Sequence, residues 1–400
     1  MTPMMLDALA AAGTSVEQSL ALAEIGAILL VLGIAAFTAV RIKLSVVPFY
    51  LVIGLLLGKG GIFPVDLSDD FIRIGAQLGA ILLLLMLGLE HSGASLANSF
   101  VQRKSIGAID FLANALPGAA IALLLGWGPL GALVLGGITY VSSSGIASQM
   151  MKETGWQRSE VSTRVVSVLV FEDLALAPYL PLLTSMVAGL GAIAGFVSVT
   201  FAILVTAIAL LIAFRGENAF AKILNTQAQG GLLLTVFGAA LLAAGSAELI
   251  GFSSAVAAFL VGLVLSGEVA FAVRLRLAPL RDLFAAIFFL FFGLTIDPAD
   301  IPAVLPLALG LTVLGIAGKM FVGWMLAKDM SDGLAWKRAG AFLIPRGEFA
   351  IVIAGLASTA AFGTDLQALT ITYVLLTSLS ASFALRYFRS SFEKARAKKK

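Results

Sequence analysis

The chain has 400 residues, of which 60% are hydrophobic and 12% charged, with 41 glycines, one histidine, no cysteine and a net charge of +3. A surface facing water carries about twice that share of charge, so most of this surface is expected to face lipid, as the mean hydropathy of +1.03 also implies. Without cysteine there are no disulfides, thiolate metal sites or thiol nucleophiles; His91 alone builds neither a zinc cluster nor a Ser-His-Asp triad, so an enzyme is not expected.

From the N-terminus, residues 1–20 lack a basic leader and place Asp7 and Glu17 before the first long apolar run, so no cleavable signal peptide is expected. Apolar segments long enough to cross a bilayer follow at 22–40, 44–58, 72–90, 105–125, 129–151, 162–185, 191–213, 228–246, 250–266, 281–296, 303–327, 337–358 and 364–386. The expected fold is therefore an all-α integral membrane protein with thirteen transmembrane helices. It forms one transmembrane domain over 1–390, followed by a basic tail at 391–400. Counted loop by loop, 22 of the 26 basic residues fall on one side, from Arg41 and Lys43 to the seven between Arg386 and Lys400. Positive loops stay inside. The N-terminus is placed outside and the C-terminus in the cytoplasm. That distribution also explains the net charge without nucleic acid; the tail suits anionic membrane lipids or a cytoplasmic partner.

Two pairs of segments echo each other seven spans apart. Leu87-Gly88-Leu89-Glu90 closes the third span and Phe292-Gly293-Leu294-Thr295-Ile296-Asp297 the tenth. Thr139, Ser142, Ser143, Ser144 and Gly145 interrupt the fifth; Pro345, Arg346, Gly347 and Glu348 interrupt the twelfth. An odd offset reverses direction through the membrane, which is the pattern of inverted-topology repeats in secondary transporters. The repeats are set at about 20–186 and 228–388, with 191–213 as linker helix.

Charges inside spans carry the functional signal, because each costs about 2.5–3.5 kcal/mol on insertion scales. Glu172 and Asp173 lie mid-span in the sixth segment. Lys319 lies deep in the eleventh, either snorkelling to the interface or paired internally with Asp173 or Glu172. Arg346 and Glu348 flank Gly347 after Pro345, where a broken helix is expected; they either stitch the unwound segment to a neighbour or serve a midplane site. The hydroxyls of Thr139, Ser142 and Ser143 either bond back to their own helix or supply oxygens to a cation. Glu24, Asp110, Glu248 and Asp297 read as interfacial, His91 as solvated and Gln77 as a passenger.

A buried carboxylate balanced between desolvation and a neighbouring lysine can hold a proton or a bare cation in turn. Asp173 is the expected shared site, with Glu172, Ser142, Ser143 and Thr139 as oxygen ligands, and Lys319, Arg346 and Glu348 as charge partners. No cofactor is expected, and a proton and a monovalent cation are the expected transported ions.

At these residues the chain resembles the cation:proton antiporter-2 family, in particular glutathione-gated potassium efflux transporters and related sodium/proton antiporters. The resemblance rests on Phe171-Glu172-Asp173-Leu174-Ala175, Ser142-Ser143-Ser144-Gly145 with Met151-Lys152-Glu153, and Gly347-Glu348-Phe349-Ala350. Gly251-Phe252-Ser253-Ser254-Ala255, Ala258-Phe259-Leu260-Val261-Gly262 and Gly88-Leu89-Glu90 add to it over roughly 20–388. It implies a homodimer in a bacterial plasma membrane, with a dimerisation domain and a moving core of two crossed broken helices. It also implies Asp173 as ion-binding carboxylate with Lys319 as its charged partner. Glu172 departs from the glutamine or aspartate of relatives, and Gln77 stands where relatives often have glutamate. The chain ends without the nucleotide-binding domain many relatives append, so a separate regulatory subunit is the expected substitute. Rival readings are an organic-anion or solute symporter in which Arg346 binds a carboxylate, and a cation channel.

Overall fold

Backbone amides and carbonyls in lipid must be paired within their own segment, and helices achieve that locally. The computed structural model of the protein describes residues 3–42, 46–58, 60–64, 69–90, 93–156, 159–187, 229–249, 254–265 and 267–397, with isolated positions between 189 and 211. Its α-helices are α1 (Pro3–Ile42), α2 (Val47–Leu57), α3 (Asp69–Glu90), α4 (Gly93–Leu124), α5 (Gly128–Tyr140), α6 (Ser144–Thr154) and α7 (Glu160–Val187). They continue with α8 (Gln229–Leu249), α9 (Ser254–Val264), α10 (Gly267–Leu294), α11 (Ile301–Ala327), α12 (Ala335–Leu343), α13 (Glu348–Leu356) and α14 (Gly363–Ala397). No strand occurs among the described residues.

Among the described residues, eight stretches are long and apolar enough to cross a bilayer, and Val47–Leu57 and Gln77–Met86 are shorter apolar helices. The predicted linker at 191–213 lies largely outside the described residues, as do His91 and the last three lysines. Several helices outrun their apolar stretch: α4 begins at Gly93 instead of 105, α10 at Gly267 instead of 281, and α14 continues to Ala397. Hydropathy marks where lipid ends. Helical hydrogen bonding stops only where a breaker or cap intervenes.

One such stop joins α4 to α5. Gly126, at φ +77°, follows the helix end, and the amides of Gly126 and Trp127 donate to the carbonyls of Leu123 and Ala122. This Schellman closure satisfies carbonyls that the end of α4 would otherwise leave bare.

The two interrupted spans form the centre. Of Ala335–Leu356, 83% is buried, and of Gly128–Ser148, 72%, against 11% of Leu22–Ile42. Around them α4 packs on α5, α7 and α11, while α11 packs on α12 and α14. Similarly α2 lies against α10, and α9 against α3. The lipid-facing rim is apolar: Phe37 is 82% exposed and Leu242 73%.

The α3–α9 contact explains two of the glycine motifs. A Cβ on Gly88 would lie 2.2 Å from the Phe259 carbonyl oxygen, and one on Gly262 2.3 Å from that of Leu85. The helices therefore touch backbone to backbone, as small residues allow in membranes. Gly262→Ala should force them apart at a cost of about 1–3 kcal/mol. The melting temperature of the detergent-solubilised variant should fall; an unshifted melt would mean the contact is loose.

Candidate ion-binding site

Each interrupted span leaves helix ends inside the membrane. Residues 141–143 separate α5 from α6, and 344–347 separate α12 from α13. The two breaks touch: the Ser143 amide donates to the Pro345 carbonyl at 2.8 Å. They can approach because residue 347 has no side chain; a Cβ there would lie 2.6 Å from Ser143 Oγ.

Crossed half-helices bring like poles together, with carbonyl-rich ends on one side and amide-rich ends on the other. Arg346, fully buried, answers the first. Its Nε and Nη2 donate to the Thr139 carbonyl at 3.1 and 2.7 Å, and Nη1 to those of Leu343 and Ile344 at 3.1 and 3.0 Å. Thus the guanidinium closes the C-termini of α5 and α12. Glu348, in the first turn of α13, answers the second. Ser143 Oγ accepts from the Ile146 amide at 3.2 Å, capping α6, and donates to Glu348 Oε2 at 2.8 Å.

Beside this crossing lies a second charged group. Lys319, on α11 and fully buried, donates to Asp110 Oδ1 at 2.7 Å and to Glu172 Oε1 at 3.0 Å. Its Nζ also sits over the Tyr140 ring, 5.6 Å from the centroid. Glu172 Oε2 accepts from the Ser142 amide, and Oε1 lies 3.2 Å from Ser142 Oγ. Ser142 Oγ is also 2.9 Å from the Leu343 carbonyl, so one hydroxyl links Glu172 to the end of α12. Asp173, next along α7, is 1% exposed.

Of the predicted site residues, Glu172, Ser142, Ser143, Lys319, Arg346 and Glu348 surround the two breaks, with Asp173 buried on the same helix. Thr139 is placed differently. Its hydroxyl lies within bonding distance of the Asn114 carbonyl on α4 and the Leu135 carbonyl on its own helix, at 2.8 and 2.9 Å, while its carbonyl accepts from Arg346.

Asp110 needs correction. Read as interfacial, it is fully buried and paired with Lys319. Asn114, one turn on, donates to the same oxygen at 3.0 Å. A Cβ at Gly318 would meet Asn114 Oδ1 at 2.6 Å, so a bare backbone at 318 brings α11 close enough for this pairing. Hydropathy starts this span at 105 and gave no sign of it; only the helix start at Gly93 puts Asp110 mid-helix. Asp297, by contrast, is exposed and caps the turn before α11, accepting from the Ala299 amide at 2.9 Å. Gln77 is more than a passenger: its amide donates to Glu248 at 2.6 Å, joining α3 to α8.

The profile of the family described as "Sodium/hydrogen exchanger, transmembrane" matches residues 26–388. The chain belongs to this sodium/hydrogen exchanger family. The antiporter is a transporter and not an enzyme, with monovalent cation:proton exchange as its class of activity. It is similar to the K(+)/H(+) antiporter subunit KhtU of Bacillus subtilis, with 30% identity over 371 residues, 89% of this chain and 90% of KhtU. It is 29% identical to the ammonium/H(+) antiporter subunit AmhT of Alkalihalophilus pseudofirmus, covering 83% of this chain and 85% of AmhT. Against the glutathione-regulated potassium-efflux system protein KefC of Klebsiella pneumoniae, identity is 29% over 92% of the antiporter and 60% of KefC. Its fold matches the solved sodium proton antiporter MjNhaP1 of Methanocaldococcus jannaschii, with a TM-score of 0.65 at 17% identity, covering 94% and 98% of the two chains.

Proposed function

We propose that the protein exchanges a monovalent cation, K+ before Na+, for H+ by alternating access, with Asp173 as the site that cation and proton occupy in turn. The carrying observation is the buried ammonium of Lys319 held against Glu172, one residue from Asp173 and beside two crossed helix breaks. Arriving cation and resident ammonium compete for the same carboxylate oxygens, so loading displaces Lys319 from Glu172. Ser142 and Ser143 serve as oxygen donors or orienting groups, and Arg346 and Glu348 hold the breaks open. Potassium is favoured over sodium because KhtU, similar over nearly its whole length, is named as a K(+)/H(+) antiporter subunit.

Further parts of the proposal concern architecture. The recurring neighbours, α4 with α5 and α7, α11 with α12 and α14, support inverted repeats over about 20–186 and 228–388. The apolar rim supports a homodimer with a dimerisation domain flanking the core, in a plasma membrane, with the N-terminus outside and the C-terminus in the cytoplasm. Relatives named as subunits support a separate regulatory partner. The symporter reading is disfavoured by Arg346: four of its five donors are taken by backbone carbonyls, leaving little for a substrate carboxylate.

The test is a pH-sensitive dye in everted vesicles challenged in turn with Na+, K+, Rb+ and Li+. Potassium should dissipate the proton gradient most effectively. Cation uptake that ignores the pH gradient would make the protein a channel or uniporter and end the proposal.

A further inference from the structure

Asp110 is a buried carboxylate that the exchange reading leaves without a task. It lies where α4 meets α5, α7 and α11. Its Oδ1 accepts from both Lys319 Nζ and Asn114 Nδ2, at 2.7 and 3.0 Å. Its Oδ2 is equally enclosed and accepts no hydrogen bond. The groups facing it are Lys319 from α11, Glu172 from α7, Tyr140 from α5 and, farther off, Arg346 at the second break.

Two features of this arrangement point the same way. The first is charge. One ammonium is in contact with two carboxylates, while the Arg346 guanidinium, turned to the carbonyls of Thr139, Leu343 and Ile344, acts on them only from a distance and forms an ion pair with neither. One negative charge is left over, and buried charge without compensation is not tolerated for long. The second is geometry. The oxygen without a partner belongs to Asp110, whereas both oxygens of Glu172 are engaged by Ser142 and Lys319. A proton on Asp110 Oδ2 removes the surplus charge without disturbing any bond on Oδ1.

We propose that Asp110 carries a second exchanged proton, and that Lys319 passes the signal of cation binding to it. This rests on Asp173 being the shared cation and proton site. In the proton-loaded form Asp110 Oδ2 and Asp173 are both protonated, and the ammonium of Lys319 balances Glu172. When the cation settles on Asp173 and Glu172, the ammonium is repelled and moves wholly onto Asp110. The O–H bond on Oδ2 then breaks, its electron pair stays on the carboxylate, and the proton leaves to the aqueous side that the site faces. Asp173 releases its own proton to the same side. Two protons leave for one cation, so each cycle moves one net charge. Asp110 thereby fixes the stoichiometry, while Asp173 fixes whether exchange occurs at all.

The test uses full-length protein in proteoliposomes, with protons released per K+ taken up and transient current on a K+ jump as readouts. Wild type should release two protons per K+ and give a current. Asp110→Asn should continue exchange with one proton per K+ and no net current. Asp110→Glu, which restores a titratable group, should return both signals. Two protons and a current in Asp110→Asn would overturn the proposal. So would inactivity of both Asp110 variants, which would make the residue a structural anchor of Lys319. Asp173→Asn separates the layers: if it still exchanges, the shared-site reading itself fails; if it is silent while Asp110→Asn moves two protons, only the role of Asp110 fails.

Discussion

Asp173→Asn should reduce cation-dependent proton movement to the level of empty vesicles while leaving the protein folded. Asparagine keeps the size and hydrogen-bonding shape of the side chain but cannot hold a charge, so neither a proton nor a cation has a reason to enter. The neighbour cannot take over. Glu172 already has one oxygen on the Ser142 amide and the other on Lys319, so its geometry is set by the break it braces. Glu172→Gln should accordingly slow exchange without abolishing it, because the amide oxygen can still accept from Ser142. Asp173→Glu should recover part of the activity with altered preference among Na+, K+, Rb+ and Li+. Elution as a single symmetric peak in size-exclusion chromatography distinguishes lost chemistry from lost fold. Residual exchange in Asp173→Asn above background would move the cation site elsewhere in the core.

How much of this was readable beforehand depends on the range of the interaction concerned. The breaks at 141–143 and 344–347 are local: Ser142-Ser143-Ser144-Gly145 and Pro345-Arg346-Gly347 weaken a helix wherever they occur. Glu172, Asp173, Lys319 and Arg346 were visible because a charge amid apolar residues is costly enough to demand a partner. Which partner was not visible. Lys319 and Asp110 are 209 residues apart, and nothing local joins them. Asp110 was misplaced because hydropathy starts its span at 105, whereas α4 starts at Gly93 and carries Asp110 into its middle. Thr139 was ambiguous for another reason. Periodicity puts a hydroxyl in a span but cannot say whether the hydroxyl or the carbonyl faces the site, and here the carbonyl does. Gly88 and Gly262 stood out as motif positions, but their mutual contact exists only once α3 and α9 are side by side.

Arg346→Ala is expected to cost more folding stability than any other single change at the crossing. The carbonyls of Thr139 and Ile344 would lose the guanidinium that serves them, at about 1–3 kcal/mol for each buried group left bare, while that of Leu343 would keep only Ser142 Oγ. The same change removes the positive charge facing two carbonyl-rich helix ends, so α5 and α12 would repel across the gap. Folded yield should drop sharply, and surviving protein should melt well below wild type. Arg346→Lys separates charge from shape: an ammonium restores the sign but cannot span carbonyls from two helices as a planar fork does, so its melting temperature should fall between the two. Glu348→Gln, at the opposite pole, should be milder, since an amide oxygen still accepts from Ser143 Oγ. A wild-type melt for Arg346→Ala would mean that the crossing closes its carbonyls by another route, and that the guanidinium is free for a role in transport. Loss of stability without change in cation preference among the survivors would place Arg346 in the frame that holds the site and leave ion selection to the carboxylates of α7.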